Sequence, residues 1–254
     1  MHGPGTGRRA AFTSTELTVV IVCLAVVAFF VLLPSGPTGK AKARRINCVN
    51  NLKIVGLAWR ILGGDDFPWR SGPDNLPPCV PTNFTTNPGA IVSPNQGAAA
   101  IFALVSNELS TLKNLQCPDD RKRFQLKTNS IAFLMAPAQT AVRDRAISYF
   151  IGVSASEDYP GAIMGGDRNL AGSPFSADTN TLPSQVALRI PHATATNLAA
   201  MNSAVWTKDI HQRAGNLLLG DGSVQQVSSG RMWEQFRDAA TNSGTDLDFI
   251  WPAN

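Results

Sequence analysis

The chain has 254 residues, 44% of them hydrophobic and 16% charged, which is ample for a buried core beside any membrane segment. The formal net charge of +4 is unevenly spread: residues 1–63 carry eight Lys/Arg against Glu16 alone, net +7, and the rest carry fourteen against seventeen acids, net −3. Cations confined to the N-terminal stretch belong at membrane flanks, facing anionic headgroups, and the mildly acidic remainder excludes a nucleic-acid-binding stripe.

Arg8 and Arg9 lead through Ala10-Ala11 into Phe12-Thr13-Ser14-Thr15-Glu16, and an unbroken apolar run follows from Leu17 to Leu33. At ~1.5 Å per residue, Phe12 to Leu33 reaches about 33 Å, enough for a bilayer core of about 30 Å. No small-x-small cleavage site follows Leu33, so the run reads as an anchor rather than a removable secretory signal. A carboxylate costs ~2.5–3.5 kcal/mol at a bilayer centre, so Glu16 either marks the lipid–water boundary or has work to do there. Arg8 and Arg9 precede the run while Lys40, Lys42, Arg44 and Arg45 follow it, so a strict positive-inside count favours the reverse of the orientation that the motif's family implies.

This string resembles the class III signal of type IV pilins and of the pseudopilins of type II secretion. The resemblance implies cleavage by a prepilin peptidase between Ala11 and Phe12, N-methylation of Phe12, and an assembly role for Glu16. In that role the carboxylate pairs with the Phe12 amine of a neighbouring subunit, neutralising two charges that are each costly in hydrocarbon. Ala11 stands where the family usually has Gly, and Ser14-Thr15 where it has Leu-Ile. The expected organisation is a leader over 1–11, a transmembrane helix over 12–33, a kink and amphipathic helix over 34–64, and a globular pilin-like ectodomain over 65–254.

Pro34, Gly36, Pro37 and Gly39 predict a bend beyond the membrane. Ile46, Val49, Leu52, Val55, Trp59 and Leu62 then recur at steps of three or four, an amphipathic helix with one stripe facing a folded domain and Gly63-Gly64 as its stop. Residues 65–97 hold seven prolines and read as a loop, pinned to the domain by Trp69 and Phe84. A short helix is expected over Ala98–Leu112, a turn at Cys117-Pro118-Asp119-Asp120, a strand over Ile147–Val153 and a turn at Gly166-Asp167. Asn216–Leu219 and Ser223–Val227 flank Gly220-Asp221-Gly222, a strong hairpin pattern because Asp and Gly tolerate the positive φ of the turn. Met232–Ala240 closes the pattern as a helix. The fold class expected is α+β: a long kinked N-terminal helix packed on an antiparallel sheet, pilin-like.

His211, nine intervening residues and Asp221-Gly222 form an H-x(9)-DG pattern. With Cys48-Val-Asn-Asn-Leu-Lys53, Ser148-Tyr-Phe-Ile-Gly152 and Gly166-Asp-Arg-Asn-Leu170, it is similar to pseudopilin-like proteins of planctomycetes and verrucomicrobia. That resemblance implies a Cys48–Cys117 disulfide, with two buried free thiols as the alternative; Cys23 lies inside the apolar run. No cysteine pair has the C-x-x-C spacing of a zinc site. Asp119-Asp120, Glu157-Asp158, Asp167 and Asp221 could supply oxygen ligands to a Ca²⁺ ion, Asp167 and Asp221 being the candidates kept, without a D-x-[DN]-x-[DN]-G array around them. The plainer reading makes Asp221 a turn former and lets His211 cap or pack at the start of a strand.

No nucleophile elbow, H-E-x-x-H pair or phosphate-binding loop is present, so no enzyme is expected. The function expected is a pseudopilin-like subunit of a type II secretion-type filament. Its partners would be a prepilin peptidase, other pseudopilins, the secretion platform and the lipid bilayer, with no nucleic acid. It would sit in the inner membrane with its globular domain in the periplasm. The alternative is a single-pass anchored ectodomain that binds an envelope partner or ligand and never polymerises.

Overall fold

The computed structural model describes residues 13–32, 37–63, 67, 97–123, 145–175 and 186–252. The chain divides into two compact units, Met1–Lys40 and Ala41–Asn254.

The first unit is built on helix α1 (Ser14–Leu32), 19 residues of almost wholly apolar sequence. Its start is fixed by reciprocal hydrogen bonds. The Thr13 backbone N–H and hydroxyl donate to Glu16 Oε2 at 2.9 and 2.8 Å, and the Glu16 N–H donates back to Thr13 Oγ1 at 3.3 Å. This is a capping box, which satisfies donors that the first turn of a helix leaves open. Among the described residues no helix is long and apolar enough to cross a membrane. The polar first turn, Ser14-Thr15-Glu16, leaves about 16 apolar residues, roughly 24 Å at the helical rise, and the ends of the predicted span, Phe12 and Leu33, lie outside the described residues. So do Pro34 and Gly36, two of the four residues that predict the bend; the other two, Pro37 and Gly39, lie in the first turn of α2 (Pro37–Gly63).

The second unit is α+β. Helix α2 (Pro37–Gly63) enters it from Ala41 onward, followed by α3 (Ala98–Leu104) and a 3₁₀ turn at Leu112–Leu115. The remaining elements are β1 (Tyr149–Gly152), β2 (Ile163–Asp167), β3 (Leu170–Ala171), β4 (Val186–Ile190), α4 (His192–Ala195), α5 (Leu198–Met201), β5 (Val205–Trp206), β6 (Ala214–Leu219), β7 (Val224–Ser228), α6 (Ser229–Ser243) and β8 (Leu247–Trp251). Six strands form one sheet in the order β4-β8-β1-β2-β6-β7, every neighbour antiparallel, and β3 pairs β5 separately.

Side chains alternate across this sheet, and both faces are covered. Tyr149, Ile151, Met164, Leu218 and Ile250 join a core with Leu52, Val55 and Trp59 of α2 and Ile101 and Phe102 of α3. Phe150, Ile163, Leu217, Leu219, Phe249 and Trp251 join a second core with Met232, Phe236, Ala239 and Ala240 of α6. The second core holds a run of aromatic contacts, Phe150 stacked on Trp251 at 4.7 Å and edge-on to Phe249 at 5.5 Å. Where α2 crosses the sheet, a Cβ on Gly56 would stand 2.8 Å from Leu218 Cδ1, so glycine permits the close approach. α6 ends on Gly244, whose φ of 65° lets its N–H reach the Ala240 carbonyl.

Several expectations change. The buried stripe of α2 is Cys48, Leu52, Val55, Ala58 and Trp59, whereas Ile46 and Leu62, predicted to share it, are 47% and 42% exposed. The 3.6-residue period carries them past the covered arc at the helix ends. The helix expected over Ala98–Leu112 stops at Leu104, and a Ser106 side chain bonded to the Ala103 carbonyl turns the chain there. Gly166-Asp167 is not a turn but the end of strand β2. Strands β4 and β8 had no predicted counterpart. Trp69 and Phe84 lie outside the described residues, whereas Phe67 is fully buried in the first core.

Candidate functional site

The sheet face beneath α2 carries a buried polar cluster at one end of β1, β2 and β6. Asp167, the last residue of β2, faces Tyr149 across the β1–β2 ladder, and both are fully buried. Its Oδ2 accepts from the Asn216 backbone N–H at 2.7 Å and from the Asn216 side-chain amide at 2.9 Å. Its Oδ1 has no hydrogen-bond partner among the described residues. Burial pushes the Asp167 carboxyl up to about 8, the neighbouring Asp120 adding to the rise and the Asn216 bonds and Arg45 opposing it. The Tyr149 phenol is likewise raised well above its usual value, by burial and then by Asp167.

The three residues after Gly166 each bond a different part of the chain. Asp167 holds the start of β6 through Asn216. Arg168, fully buried, forms a bidentate pair with the equally buried Asp120, Nε to Oδ2 at 2.7 Å and Nη2 to Oδ1 at 2.9 Å. Asn169 donates its side-chain amide to the Thr207 and Ile210 carbonyls at 3.1 and 3.0 Å, fixing the loop that delivers His211. Three consecutive residues of that loop, His211, Gln212 and Arg213, have φ of 53°, 54° and 69°. Non-glycine residues resist this left-handed conformation, so the contacts around the loop over-determine it.

His211 is 2% exposed. Its backbone N–H donates to Asp119 Oδ2 at 3.2 Å and its carbonyl accepts from Arg45 of α2. Nδ1 stands 3.3 Å from the same Asp119 oxygen, off the line of a good hydrogen bond. Nε2 lies 3.4 Å from Cys117 Sγ and 3.5 Å from Asp167 Oδ2. Burial, with the Arg45 cation second, holds the imidazole down at about 4, so it is neutral at physiological pH. Cys117 is bonded to Cys48 of α2, with S–S 2.00 Å and Cα–Cα 5.0 Å across 69 residues of sequence. Arg44 adds a pair with Asp119 at 3.1 Å. Beside the disulfide a groove of about 470 Å³ opens, lined by Asn47, Asn50, Asn51, Gln116 and Cys117.

Asp221 and Gly222 sit elsewhere. Asp221 Oδ1 accepts from the Ser223 N–H at 2.8 Å, and Gly222, at φ 80°, donates its N–H to the Leu219 carbonyl. This is the hairpin tip between β6 and β7. Five residues along the strand, from Asn216 to Asp221, separate it from the point where Asp167 bonds β6, roughly 16 Å at strand rise, so Asp167 and Asp221 cannot share one Ca²⁺ ion. His211 and Asp221 thus serve opposite ends of one strand. Ala11 and Phe12 lie outside the described residues, and Glu16 caps α1.

Sequence reasoning named Asp119 and Asp120 only as possible oxygen ligands beside Asp167, and missed Arg168, Asn169, Asn216, Arg44 and Arg45 as members of the cluster. The signal present was three consecutive polar residues, Asp167-Arg168-Asn169, entered from a β-forming segment. No family model matches the chain, and neither a curated protein nor a solved structure matches it.

Proposed function

We propose that the protein is a pseudopilin-like structural subunit, anchored and assembled through its N-terminal helix. The observation that carries this reading is α1. Leu17, Val19, Val20, Ile21, Val22, Leu24, Val26, Val27 and Phe29 are each 45–65% exposed. An apolar surface that runs all round a helix requires lipid or other apolar helices to cover it. The Phe12-Thr-Ser-Thr-Glu16 string ahead of it supplies the residues that prepilin processing and subunit pairing would use. The Cys48–Cys117 disulfide supports placing the folded unit in an oxidising compartment such as the periplasm. The polar cluster, in this reading, is a staple that locks α2 to the sheet rather than a catalytic centre.

A second reading, an anchored ectodomain that binds a partner without polymerising, is favoured by the capping box, which gives Glu16 an intrahelical task without any neighbour. Intact mass and N-terminal peptide sequencing of the native membrane protein test the first reading. It expects a chain beginning at N-methylated Phe12; residues 1–11 still attached in the natural host would overturn it in favour of the second.

A further inference from the structure

The sulfurs of Cys48 and Cys117 and a ring nitrogen of His211 lie within 4.8 Å of one another, all three residues buried. Two of the separations suit tetrahedral ligands on one small ion. With metal–ligand bonds of ~2.0–2.3 Å, the edges of such a site run about 3.3–3.8 Å. His211 Nε2 is 3.4 Å from Cys117 Sγ and 3.5 Å from Asp167 Oδ2. We propose that, once the disulfide is opened, Cys48, Cys117, His211 and Asp167 hold one zinc ion.

Three further observations point the same way. The imidazole faces the Asp119 carboxylate with Nδ1, at 3.3 Å but off the hydrogen-bond line, and turns Nε2 toward the sulfur, an approach to the carboxylate–histidine pairing that orients metal-ligating histidines. Asp167 reaches the site through Oδ2, which also accepts from Asn216, while its other oxygen, Oδ1, is buried and lacks a partner among the described residues. Two thiolates, one neutral imidazole and one carboxylate form a closed donor set suited to a structural zinc. The groove along Asn47, Asn51 and Cys117 opens beside the disulfide.

The chemistry balances. A dithiol gives two electrons and two protons to the Cys48–Cys117 bond and leaves as its own cyclic disulfide. Zinc then displaces one proton from each thiol, while the His211 nitrogen and the Asp167 carboxylate complete the donor set. The site and the disulfide are therefore exclusive states of the same two sulfurs, each tying α2 to the segment before β1. This proposal stands apart from the filament reading, since it concerns the folded unit alone.

The test uses the full chain in detergent micelles, reduced with a dithiol, freed of it anaerobically and titrated with Co²⁺ and then Zn²⁺. The expected result is one equivalent of Co²⁺ with the visible absorption of a tetrahedral ion and a thiolate charge-transfer band, both displaced by one equivalent of Zn²⁺ and absent from the oxidised protein. Cys48→Ser/Cys117→Ser, which retains Cys23 and Cys79, should show neither band. His211→Ala should weaken binding at least tenfold, and Asp119→Asn, which spares every ligand, should weaken it less. Should His211→Ala fail to fold when oxidised, His211→Gln takes its place. A reduced protein without the tetrahedral spectrum, bands that persist in the double cysteine variant, or unchanged affinity in both His211 and Asp119 variants would overturn the proposal. So would a reduced chain that unfolds and is not restored by zinc.

Discussion

Replacing Asp167 with Asn should remove a pH dependence of stability that this one carboxyl imposes. In the unfolded chain the group titrates near 3.8, and in the folded chain near 8. Below 3.8 both states hold the proton. Between 3.8 and 8 only the folded state does, so stability falls as pH rises through that window and levels off above it. His211 acts in the opposite sense. Its folded value of about 4 lies under the ordinary 6.5, so the unfolded state holds the extra proton between those limits and stability rises with pH there. The two slopes offset each other from about pH 4 to 6.5, leaving Asp167 alone to act from 6.5 to 8.

One proton over about 1.5 pH units corresponds to roughly 2 kcal/mol. The groups facing the pair are Arg45 and Asp120 at Asp167, and Arg45, Asp119 and Asp120 at His211. Urea unfolding of the oxidised full chain in detergent, at half-unit steps from pH 5 to 9, reads the effect. Wild type should be near-flat to about 6.5 and then lose about 2 kcal/mol by pH 8. Asp167→Asn, which cannot ionise but keeps an oxygen for the Asn216 donors, should gain stability from pH 5 to 6.5 and stay level thereafter. Wild-type stability that holds or rises from 6.5 to 8, or an Asn variant that keeps the fall, would refute the reasoning.

Asp120→Ala breaks the buried bidentate pair with Arg168 and removes the carboxylate that Arg123 also faces, which should cost ~3–5 kcal/mol in chemical denaturation, whereas Asp238→Ala at an exposed pair should cost under about 1. Gly222→Val should cost ~1–3 kcal/mol from its φ of 80° alone, because the nearest atom to an added Cβ, Arg60 Nη1, is an unhindered 3.6 Å away; Gly222→Asn should recover part of it. A fragment from Lys40 onward should melt cooperatively. One from Asp65 onward, lacking Leu52, Val55 and Trp59 over the sheet, should aggregate or melt well below it, and equal melting temperatures would show that α2 is not part of the core.

What could be read from the sequence was whatever had a local cause. The β6–β7 hairpin follows from Gly220-Asp221-Gly222, and the α2 stripe from periodic Leu52, Val55 and Trp59. The α6 helix follows from Met232, Phe236 and Ala240. β8 was missed because Leu247-Asp-Phe-Ile-Trp251 is buried on both faces, and a strand between two cores loses the alternation that marks a half-buried one. β2 was misread because Gly165-Gly166-Asp167 carries turn residues in a strand. Gly166 is needed where a Cβ would stand 2.7 Å from the Asn216 carbonyl, and Asp167 is there for its bonds to Asn216. The polar cluster was illegible for a different reason. Asp120 and Arg168 are 48 residues apart, Cys117 and His211 are 94 apart, and Arg45 and His211 are 166 apart. Nothing local announces such pairs.

The two tasks open to Glu16 are compatible, and the geometry says why. A carboxylate has about four lone-pair directions on two oxygens. Both Thr13 bonds fall on Oε2, and Oε1 receives none among the described residues. The cap therefore uses half of the acceptor capacity and leaves the other oxygen at the exposed start of α1, where a neighbouring chain's amine could add to it rather than displace Thr13. The cap also orients the carboxylate in advance, which lowers the conformational entropy lost when a partner arrives. Charge and capping separate by substitution. Glu16→Gln retains an oxygen for Thr13 and so the start of α1, but it cannot neutralise an amine in an apolar surrounding. Thr13→Ala removes the box and keeps the charge. If assembly rests on charge pairing, inter-subunit cross-linking should fall for Glu16→Gln and persist for Thr13→Ala. The reverse order would mean that Glu16 serves only its own helix, and the anchored-binder reading would lead.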